Sequence, residues 1–442
     1  MKHVLIAFLV SVAVQASAQT SWTMQQCMQY AVEHNHEVRR AALELDNYKA
    51  AKTATVGRFL PSVDAGIGMQ YNFGRAIDPE TNGYTDVSTF YNGYSLQAAL
   101  PVFDGFSRLH ALRAAKASVL MGHQALRRQQ DETALQVMQA FAQVAYYEGL
   151  VRMAEEKVDE AALLLQQTRV LEEVGRKGAA DVAQMESQKA EADYELTRQR
   201  NLHASALLEL KKTMAFPLSD TLSLSVFASQ TDSFCVINSQ FMRQKPTVFA
   251  SETNPELQES QYALTAKRHE WHQARASLYP ALSLSAGLNT TYYHTLHSHT
   301  AASFGSQFHN NMGEYVGATL SIPLFNRLQT LTNIRRAKNN YRMAQEAYAQ
   351  KQLELEKLCR EAWQDWQGYM KQSEQMEKKV EADSLAYQLT RRQYEEGLST
   401  AIDLHTTSAQ LLQSRATLLQ CQLMAMVKHE LLRYYQGEQI WN

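Results

Sequence analysis

Four segments of this chain alternate apolar and polar residues with period two, and they come as two pairs about half a chain apart. From Ser62 to Gly74 the odd positions are Val63, Ala65, Ile67, Met69, Tyr71 and Phe73. The even ones are Ser62, Asp64, Gly66, Gly68, Gln70, Asn72 and Gly74. A return segment sets Tyr94, Leu96, Ala98, Leu100 and Val102 against Ser95, Gln97 and Ala99. Further on, Leu282, Leu284, Ala286 and Leu288 alternate with Ser283, Ser285, Gly287 and Asn289, and then Val316, Ala318, Leu320, Ile322 and Leu324 with Gly317, Thr319 and Ser321. Such alternation describes a strand with two unlike faces, and about ten residues of it suffice to cross a membrane. The polar faces of Ser, Gly, Asn and Gln suit a wet interior, and Tyr71, Phe73, Tyr94 and Tyr292 near the strand ends suit a membrane boundary. A soluble sheet with one face on a core gives the same alternation and stays open on these residues alone.

The two pairs belong to an internal repeat. Asn35-His36-Glu37 aligns with Asn254-Pro255-Glu256, and Arg58-Phe59-Leu60-Pro61 with Ser277-Leu278-Tyr279-Pro280, at an offset of 219. Past the hairpins the offset is 222: Pro101-Val102-Phe103 matches Pro323-Leu324-Phe325, Arg113-x-Ala115-Lys116 matches Arg335-x-Ala337-Lys338, and Gly175…Asp181-Val182 matches Gly397…Asp403-Leu404. The change of three falls between Pro61 and Pro101, where a hairpin loop absorbs it. The expected organisation is a first repeat over 19–214 with a hairpin at about 62–103, a connector over 215–251, and a second repeat over 252–442 with a hairpin at about 281–324.

Each repeat reads as helix, strand, strand, long helix, helix. Phe106 to Val174 and Arg327 to Glu396 contain no proline, and at ~1.5 Å per residue each reaches ~100 Å. Shorter helices are expected over Trp22 to Gly57, Ala179 to Met214, Glu252 to Ser277 and Thr400 to Tyr434. Apolar positions spaced by threes and fours (Leu358, Ala362, Trp366, Tyr369) with many small residues indicate side-by-side coiled-coil packing. Phe216 to Pro255, with Leu222 to Phe227 and Phe234 to Ile237 as short apolar runs, breaks that pattern as the connector. Arg75 to Gly93 and His294 to Gly313 are long, polar and aromatic, as expected of extracellular loops.

The first residues point to export. Lys2 and His3 precede an apolar run from Val4 to Val14, then Gln15-Ala16-Ser17-Ala18, the layout of a signal peptide over residues 1–18 cleaved after Ala18. The run is short of the ~20 apolar residues of a spanning helix. Lys+Arg number 43 and Asp+Glu 45; without Lys2 that is 42 against 45, a net charge of −3, which gives no footing for nucleic acid. Cys27, Cys235, Cys359 and Cys421 form neither a disulfide framework nor a zinc pattern, though an exported Cys359–Cys421 pair is allowed if their helices are neighbours.

Inside lipid every backbone N–H and C=O must be paired, so a membrane sheet must close. Four strands are too few, eight make a barrel filled by its own side chains, and twelve leave a passage. Three copies are therefore the smallest conducting assembly. The repeat, the Leu60-Pro61 and Tyr279-Pro280 lead-ins, the Pro-x-Phe exits and the Gly-x5-Asp segments together resemble the TolC-like outer-membrane efflux proteins over essentially the whole mature chain. The stretch from Asn72 to Pro79 is similar to Bacteroidetes-type members. The resemblance implies an α+β membrane protein in the cell outer membrane: a trimeric twelve-stranded β-barrel, four strands per chain, continuous with a long periplasmic α-helical barrel. It implies an exit duct of a tripartite efflux pump or type I secretion system, with a homotrimer, a periplasmic adaptor, an inner-membrane transporter and outer-membrane lipid as partners.

The same resemblance implies roles at the far end of the helices. Val174 and Gly175 in one turn, and Gly397 and Leu398 in the other, match adaptor-docking tips; a plain helix C-cap is the alternative for the glycines. Asp403 matches a pore-lining position where three carboxylates would ring one axis and favour cations; a helix-start cap is its alternative. A second acid found one turn on in relatives is Thr406 here. Asp181 and Tyr394 match a hydrogen-bonded gate latch, while Ser399 and Ala180 stand where a second latch has Arg and Thr.

Signals for enzyme chemistry are weak, and no catalytic residue, metal site or cofactor is expected. His269-Glu270-Trp271-His272 has its histidines three apart instead of the four of a zinc-protease helix, and Gly66-x-Gly68 lies in a strand with no helix after it. His294, His297, His299 and His309 read as solvated loop histidines. Two rival readings are a free-standing porin, opposed by the helix length, and a periplasmic tether without a lumen, opposed by the hairpins.

Overall fold

The computed structural model describes residues 21–77, 82–86, 88–225, 253–295 and 302–441. The expected signal peptide and most of the connector, with Cys235, His297 and His299, lie outside the described residues. Along the chain run α1 (Met24–His34), α2 (His36–Gly57), β1 (Ser62–Asn72), β2 (Arg75–Ile77), β3 (Tyr84–Asp86), β4 (Thr89–Phe103), α3 (Ser107–Glu173) and α4 (Ala179–Met214). Then follow α5 (Pro255–Ala276), β5 (Ala281–Thr295), α6 (Phe304–Asn310), β6 (Gly313–Ser321), α7 (Gln329–Glu395) and α8 (Ala401–Tyr435). No helix among the described residues is long and apolar enough to cross a membrane. The chain divides into two units: Met1–Leu43, Gln124–Gln258 and Gln350–Asn442 in one, Glu44–His123 and Glu259–Ala349 in the other.

The first unit is helical. Its core gathers Cys27, Ala31, Val137, Met138, Phe141, Val144, Leu210 and Met214, positions at helical spacing on α1, α3 and α4 that bury one stripe each. Helix starts are closed by side chains: Thr23 and Gln26 form a reciprocal capping box on α1. The helix expected over Trp22 to Gly57 is two helices, because Asn35 is extended at φ −62°, ψ 137°. Its Oδ1 accepts the Glu37 N–H at 2.7 Å, and its Nδ2 donates to the Thr213 carbonyl at 2.9 Å. That local bond competes with the helical ladder and restarts the helix. Its repeat mate Asn254, fully buried, does the same for α5 by accepting the Glu256 N–H at 2.9 Å. Of the connector, Leu224 bridges to Trp22. Cys27, Cys359 and Cys421 are buried free thiols, so the allowed Cys359–Cys421 disulfide is not formed; burial pushes all three thiols up, Cys27 to about 12.

The second unit holds a four-stranded antiparallel sheet in the order β1-β4-β5-β6. The strands expected from Tyr94 and to Asn289 are longer: β4 starts at Thr89 and β5 runs to Thr295, paired throughout with each other. The loops are correspondingly shorter than Arg75–Gly93 and His294–Gly313; the first carries the β2–β3 ribbon, the second α6, and His294 is a strand residue opposite Phe90. The geometry of one hairpin recurs in the other. Ser62 pairs with Ala99, and the residues 219 and 222 further on, Ala281 and Ser321, pair with each other. The turn after each hairpin recurs as well. Gly105 and Phe106 have φ +65° and +68°, Arg327 and Leu328 +56° and +65°. The Arg108 N–H donates to Asp104 Oδ2 at 3.1 Å as the Thr330 N–H does to Asn326 Oδ1 at 3.3 Å.

Candidate functional site

The sheet itself is the first element of the site. Residues directly opposite across an antiparallel pair share a face, so rows can be read through all four strands. Val63, Ala98, Ala286 and Val316 form one row, and Leu100, Leu284 and Ala318 another. Asp64, Gln97, Gly287 and Tyr315 form a row on the opposite face, as do Gly66, Ser95, Asn289 and Gly313. One face is thus apolar and the other small and polar. Away from the end where α6 packs on Tyr94 and Tyr292, the apolar face is uncovered: Ile67 and Met69 are 72% exposed and Val316 86%. Each such side chain left in water forgoes about 1.5–3 kcal/mol of burial. Toward the loops the apolar face becomes aromatic. Tyr71 lies 4.8 Å from Phe90, Phe90 6.2 Å from Tyr292 and Tyr292 5.2 Å from Phe304, while Phe308 meets Tyr94 at 5.4 Å. A band of rings at the end of an apolar face is what a bilayer boundary accommodates.

The second element is the pair of turns that join α3 to α4 and α7 to α8. Gly175 at φ +76° and Gly397 at +83° end their helices in the left-handed conformation, with matching bonds: Gly175 N–H to Glu172 O at 2.8 Å and Arg176 N–H to Leu171 O at 2.8 Å, Gly397 N–H to Tyr394 O at 3.1 Å and Leu398 N–H to Gln393 O at 2.7 Å. Both are glycine C-caps of the Schellman type. Val174 and Leu398, 64% and 76% exposed, stand on these turns, joined on α8 by Ile402 at 66%. Exposed aliphatic side chains on capped turns offer contact area that the caps do not need.

Asp181 and Asp403 sit three residues into α4 and α8 and cap them. Asp181 Oδ2 accepts the Gly178 N–H at 3.1 Å. Asp403 Oδ2 accepts the Thr400 N–H at 3.1 Å, the Thr400 hydroxyl at 2.6 Å and the Ser399 hydroxyl at 3.3 Å, while Thr400 Oγ1 accepts the Asp403 N–H at 3.2 Å. The Thr400 and Ser399 donors hold the Asp403 carboxyl below its usual range, so it stays a carboxylate. Ser399 is part of the Asp403 cap.

Asp181 and Tyr394 make their hydrogen bonds to different partners, Asp181 to Gly178 and Tyr394 to Thr168. Tyr394, 3% exposed, lies in a cluster with Leu164, Leu165, Met185, Tyr387, Ala401, Leu404 and Leu411. Its hydroxyl is 3.2 Å from Thr168 Oγ1, which also bonds the Leu164 carbonyl at 2.8 Å. The threonine proton is spent on that carbonyl, so the tyrosine donates. Lys177 Nζ stands 4.3 Å above the Tyr394 ring, a cation–π contact that ties the α3–α4 turn to α7. Sequence reasoning missed Thr168 and Lys177: Thr168 is 226 positions from its partner, and no local pattern announces such a pairing. The histidines of the HEWH segment stack instead on His110, with ring centres 5.7 Å away for His269 and 5.2 Å for His272. Burial first, and then neighbouring positive charge, hold all three below the usual histidine range: His272 and Arg113 beside His110, His110 and Arg113 beside His269, and Arg268 and Arg275 beside His272.

Comparison with known proteins places this geometry. The family model described as outer membrane efflux protein matches residues 27–215 and 249–435. The toluene efflux pump outer membrane protein TtgC of Pseudomonas putida is 24% identical over 328 residues, covering 70% of this chain and 63% of that protein. The chain thus spans under two thirds of that relative's length. The alkaline protease secretion protein AprF of Pseudomonas aeruginosa is 22% identical over 83% of this chain and 75% of its own. Among solved structures, CusC superposes with a TM-score of 0.79 at 16% identity over 94% of this chain and 92% of that one. VceC of Vibrio cholerae gives 0.78 at 14% identity over 94% and 96%. At such identities the structures speak to the fold, which they share from end to end.

Proposed function

Because this chain belongs to the outer membrane efflux protein family, we propose that three copies close one twelve-stranded barrel in the outer membrane and serve as a passive exit duct reaching into the periplasm. The observation that carries this reading is the open four-stranded sheet, apolar and aromatic on one face and polar on the other. With the apolar face toward lipid, the Ser, Gly, Asn and Gln face lines a wet lumen. Twelve strands leave that lumen open. The duct does no chemistry of its own; energy enters through an inner-membrane transporter, joined through a periplasmic adaptor. TtgC and AprF, named for toluene efflux and protease secretion, support both a pump and a secretion system as the setting.

Val174, Gly175, Gly397 and Leu398 are proposed to receive the adaptor, since the glycine caps fix the turns and leave Val174 and Leu398 outside. Asp403 is proposed to ring the constriction with one carboxylate per chain, charged because its cap keeps it so. Asp181 and Tyr394 are proposed to latch the closed gate between neighbouring chains, with Thr168 and Lys177 holding Tyr394 in place. Purified protein in planar bilayers tests the duct: discrete cation-preferring channels support it, and a silent bilayer with the latch variants as well rejects it. Retention of a periplasmic adaptor during purification separates a duct from a self-sufficient porin.

A further inference from the structure

Arginine stands at the same end of all four strands. Arg58 precedes β1 by four residues, Arg108 follows β4 by five, Arg275 precedes β5 by six and Arg327 follows β6 by six. The repeat does not impose this, since the mates of Arg58 and Arg108 at offsets of 219 and 222 are Ser277 and Thr330. The stretches that lead away from the sheet at that end, 44–61, 104–123, 259–280 and 322–349, hold 14 Lys and Arg against 6 Asp and Glu, in a chain with 43 against 45. Little of this positive charge is compensated. Among the described residues the ion pairs of these stretches are Lys49–Asp46, Arg108–Asp104 and Lys267–Glu270. Arg58, Arg113, Arg268, Arg275 and Arg327 have no carboxylate partner among the described residues, and all five are exposed.

Beside these charges the apolar face ends in an open groove of about 340 Å³, lined by Leu100, Val102 and Phe103 of β4, Phe59 before β1 and Phe106 before α3. Arg108 also lines it, with its guanidinium 5.3 Å from the centre of the Phe59 ring and Nη1 donating to the Arg58 carbonyl at 3.2 Å. The end of α5 comes up against the same turn, because a Cβ on Gly105 would stand 2.6 Å from the Ala276 carbonyl. We propose that this end of the sheet binds anionic phospholipids of the periplasmic leaflet, with phosphates on Arg58, Arg275 and Arg327 and an acyl chain in the Phe59–Phe103 groove. The proposal rests on the proposed duct, whose sheet crosses the outer membrane with this end toward the periplasm, and adds the lipid class and its ligands. Continuity and charge select the occupant. Leu100 and Val102 carry the lipid-facing side of the sheet straight into the groove, so hydrocarbon already stands at its mouth. Guanidinium pairs with phosphate through two parallel hydrogen bonds, and an arginine stem lies along apolar surface while its head stays at the boundary. A zwitterionic headgroup brings its own ammonium to the phosphate; an anionic one leaves that place to the arginine, which adds about fivefold to the attraction of an anionic leaflet.

Photoreactive lipids read the site. Phosphatidylglycerol and phosphatidylcholine with the same diazirine-bearing acyl chain are placed in turn in vesicles that hold the purified protein, and adducts are mapped by peptide mass after illumination. Adducts on Ile67 and Met69, on the apolar face away from the groove, should be equal for the two lipids and report that the sheet lies in the membrane. On the peptides of Phe59 and of Leu100 to Phe106 the phosphatidylglycerol probe should exceed the other about fivefold, and this preference should vanish in the Arg58→Gln/Arg275→Gln/Arg327→Gln protein. The three arginines are exposed, so that variant is expected to assemble like the parent, which its native mass checks. Arg335→Gln/Arg336→Gln/Arg342→Gln removes the same charge farther along α7 and should keep the preference. Equal labelling of the groove by both lipids, a preference that the first variant retains or the second loses equally, or a groove left unlabelled because a second copy covers it, overturns the inference and leaves the duct standing. A sheet that neither lipid labels, at Ile67 and Met69 included, overturns both.

Discussion

Asp131 is a charge placed where water cannot reach it, and replacing it with asparagine should stabilise the protein. The residue is 0% exposed on α3. Its Oδ1 accepts the Trp441 indole N–H at 2.9 Å, and among the described residues Oδ2 has no hydrogen-bond partner, only the Arg127 guanidinium at 3.9 Å. Burial pushes its pKa from 3.8 to about 6, against the pull of Trp441 and Arg127. The folded protein therefore binds a proton that the unfolded chain has already lost between those values. Stability from this group is fully present below pH ~4 and is lost as pH rises through about 6. Two pH units correspond to about 3 kcal/mol at pH 8. An asparagine in its place would keep an acceptor for Trp441 and remove the charge, at a cost of about 1 kcal/mol for an amide group without an acceptor. Asp131→Asn is thus expected to gain about 2 kcal/mol at pH 8 and little or nothing at pH 4. The assay is the unfolding midpoint of detergent-solubilised protein at one scan rate, with Asp131→Ala as the variant that loses the indole acceptor and destabilises at both pH values. An Asp131→Asn protein less stable than the parent at pH 8, or a difference equal at both pH values, would refute the reasoning.

Four further outcomes are expected. Asp181→Ala and Tyr394→Phe should each raise single-channel conductance in planar bilayers; unchanged conductance in both removes the latch assignment. Thr168→Val, which takes away the acceptor of the Tyr394 hydroxyl, should act in the same direction as Tyr394→Phe and add little to it in the double variant, read by the same recordings. Asp403→Ala should weaken cation selectivity by removing one carboxylate per chain, seen as a reversal potential shifted toward zero in a salt gradient; it also removes an N-terminal cap and should lower the unfolding midpoint. Gly105→Ala places a Cβ 2.6 Å from the Ala276 carbonyl and 2.8 Å from Tyr279 Cβ at φ +65°, so the yield of folded outer-membrane protein should fall severalfold, whereas Gly68→Ala should leave it unchanged.

The strands were legible because a membrane sheet enforces period two more strictly than a soluble one: Val63 to Tyr71 and Leu282 to Leu288 have no exceptions on the apolar side. The long helices were legible from the absence of proline and from their glycine ends, and α4 has the bounds read from sequence. The break at Asn35 was not, because the residues on both sides favour helix and only the side-chain bond to Glu37 ends it; the mate at Asn254 is followed by a proline that announces the same event. The extra length of β4 was hidden by Asn92 and Gly93, which blur the alternation yet pair with Tyr292 and Thr291. At the tips, sequence likeness singled out Asp181, Tyr394 and Asp403 as candidates, but their hydrogen bonds to Gly178, Thr168 and Thr400 depend on distances that a motif does not carry.

In the proposed barrel the two edges of the four-stranded sheet are completed by other copies of the same chain, and the number of copies decides whether the result conducts. Native mass spectrometry of the protein released intact from outer membranes in mild detergent counts them directly. Three chains per particle are expected. One, two or four chains per particle would contradict the barrel of twelve strands and, with it, the duct.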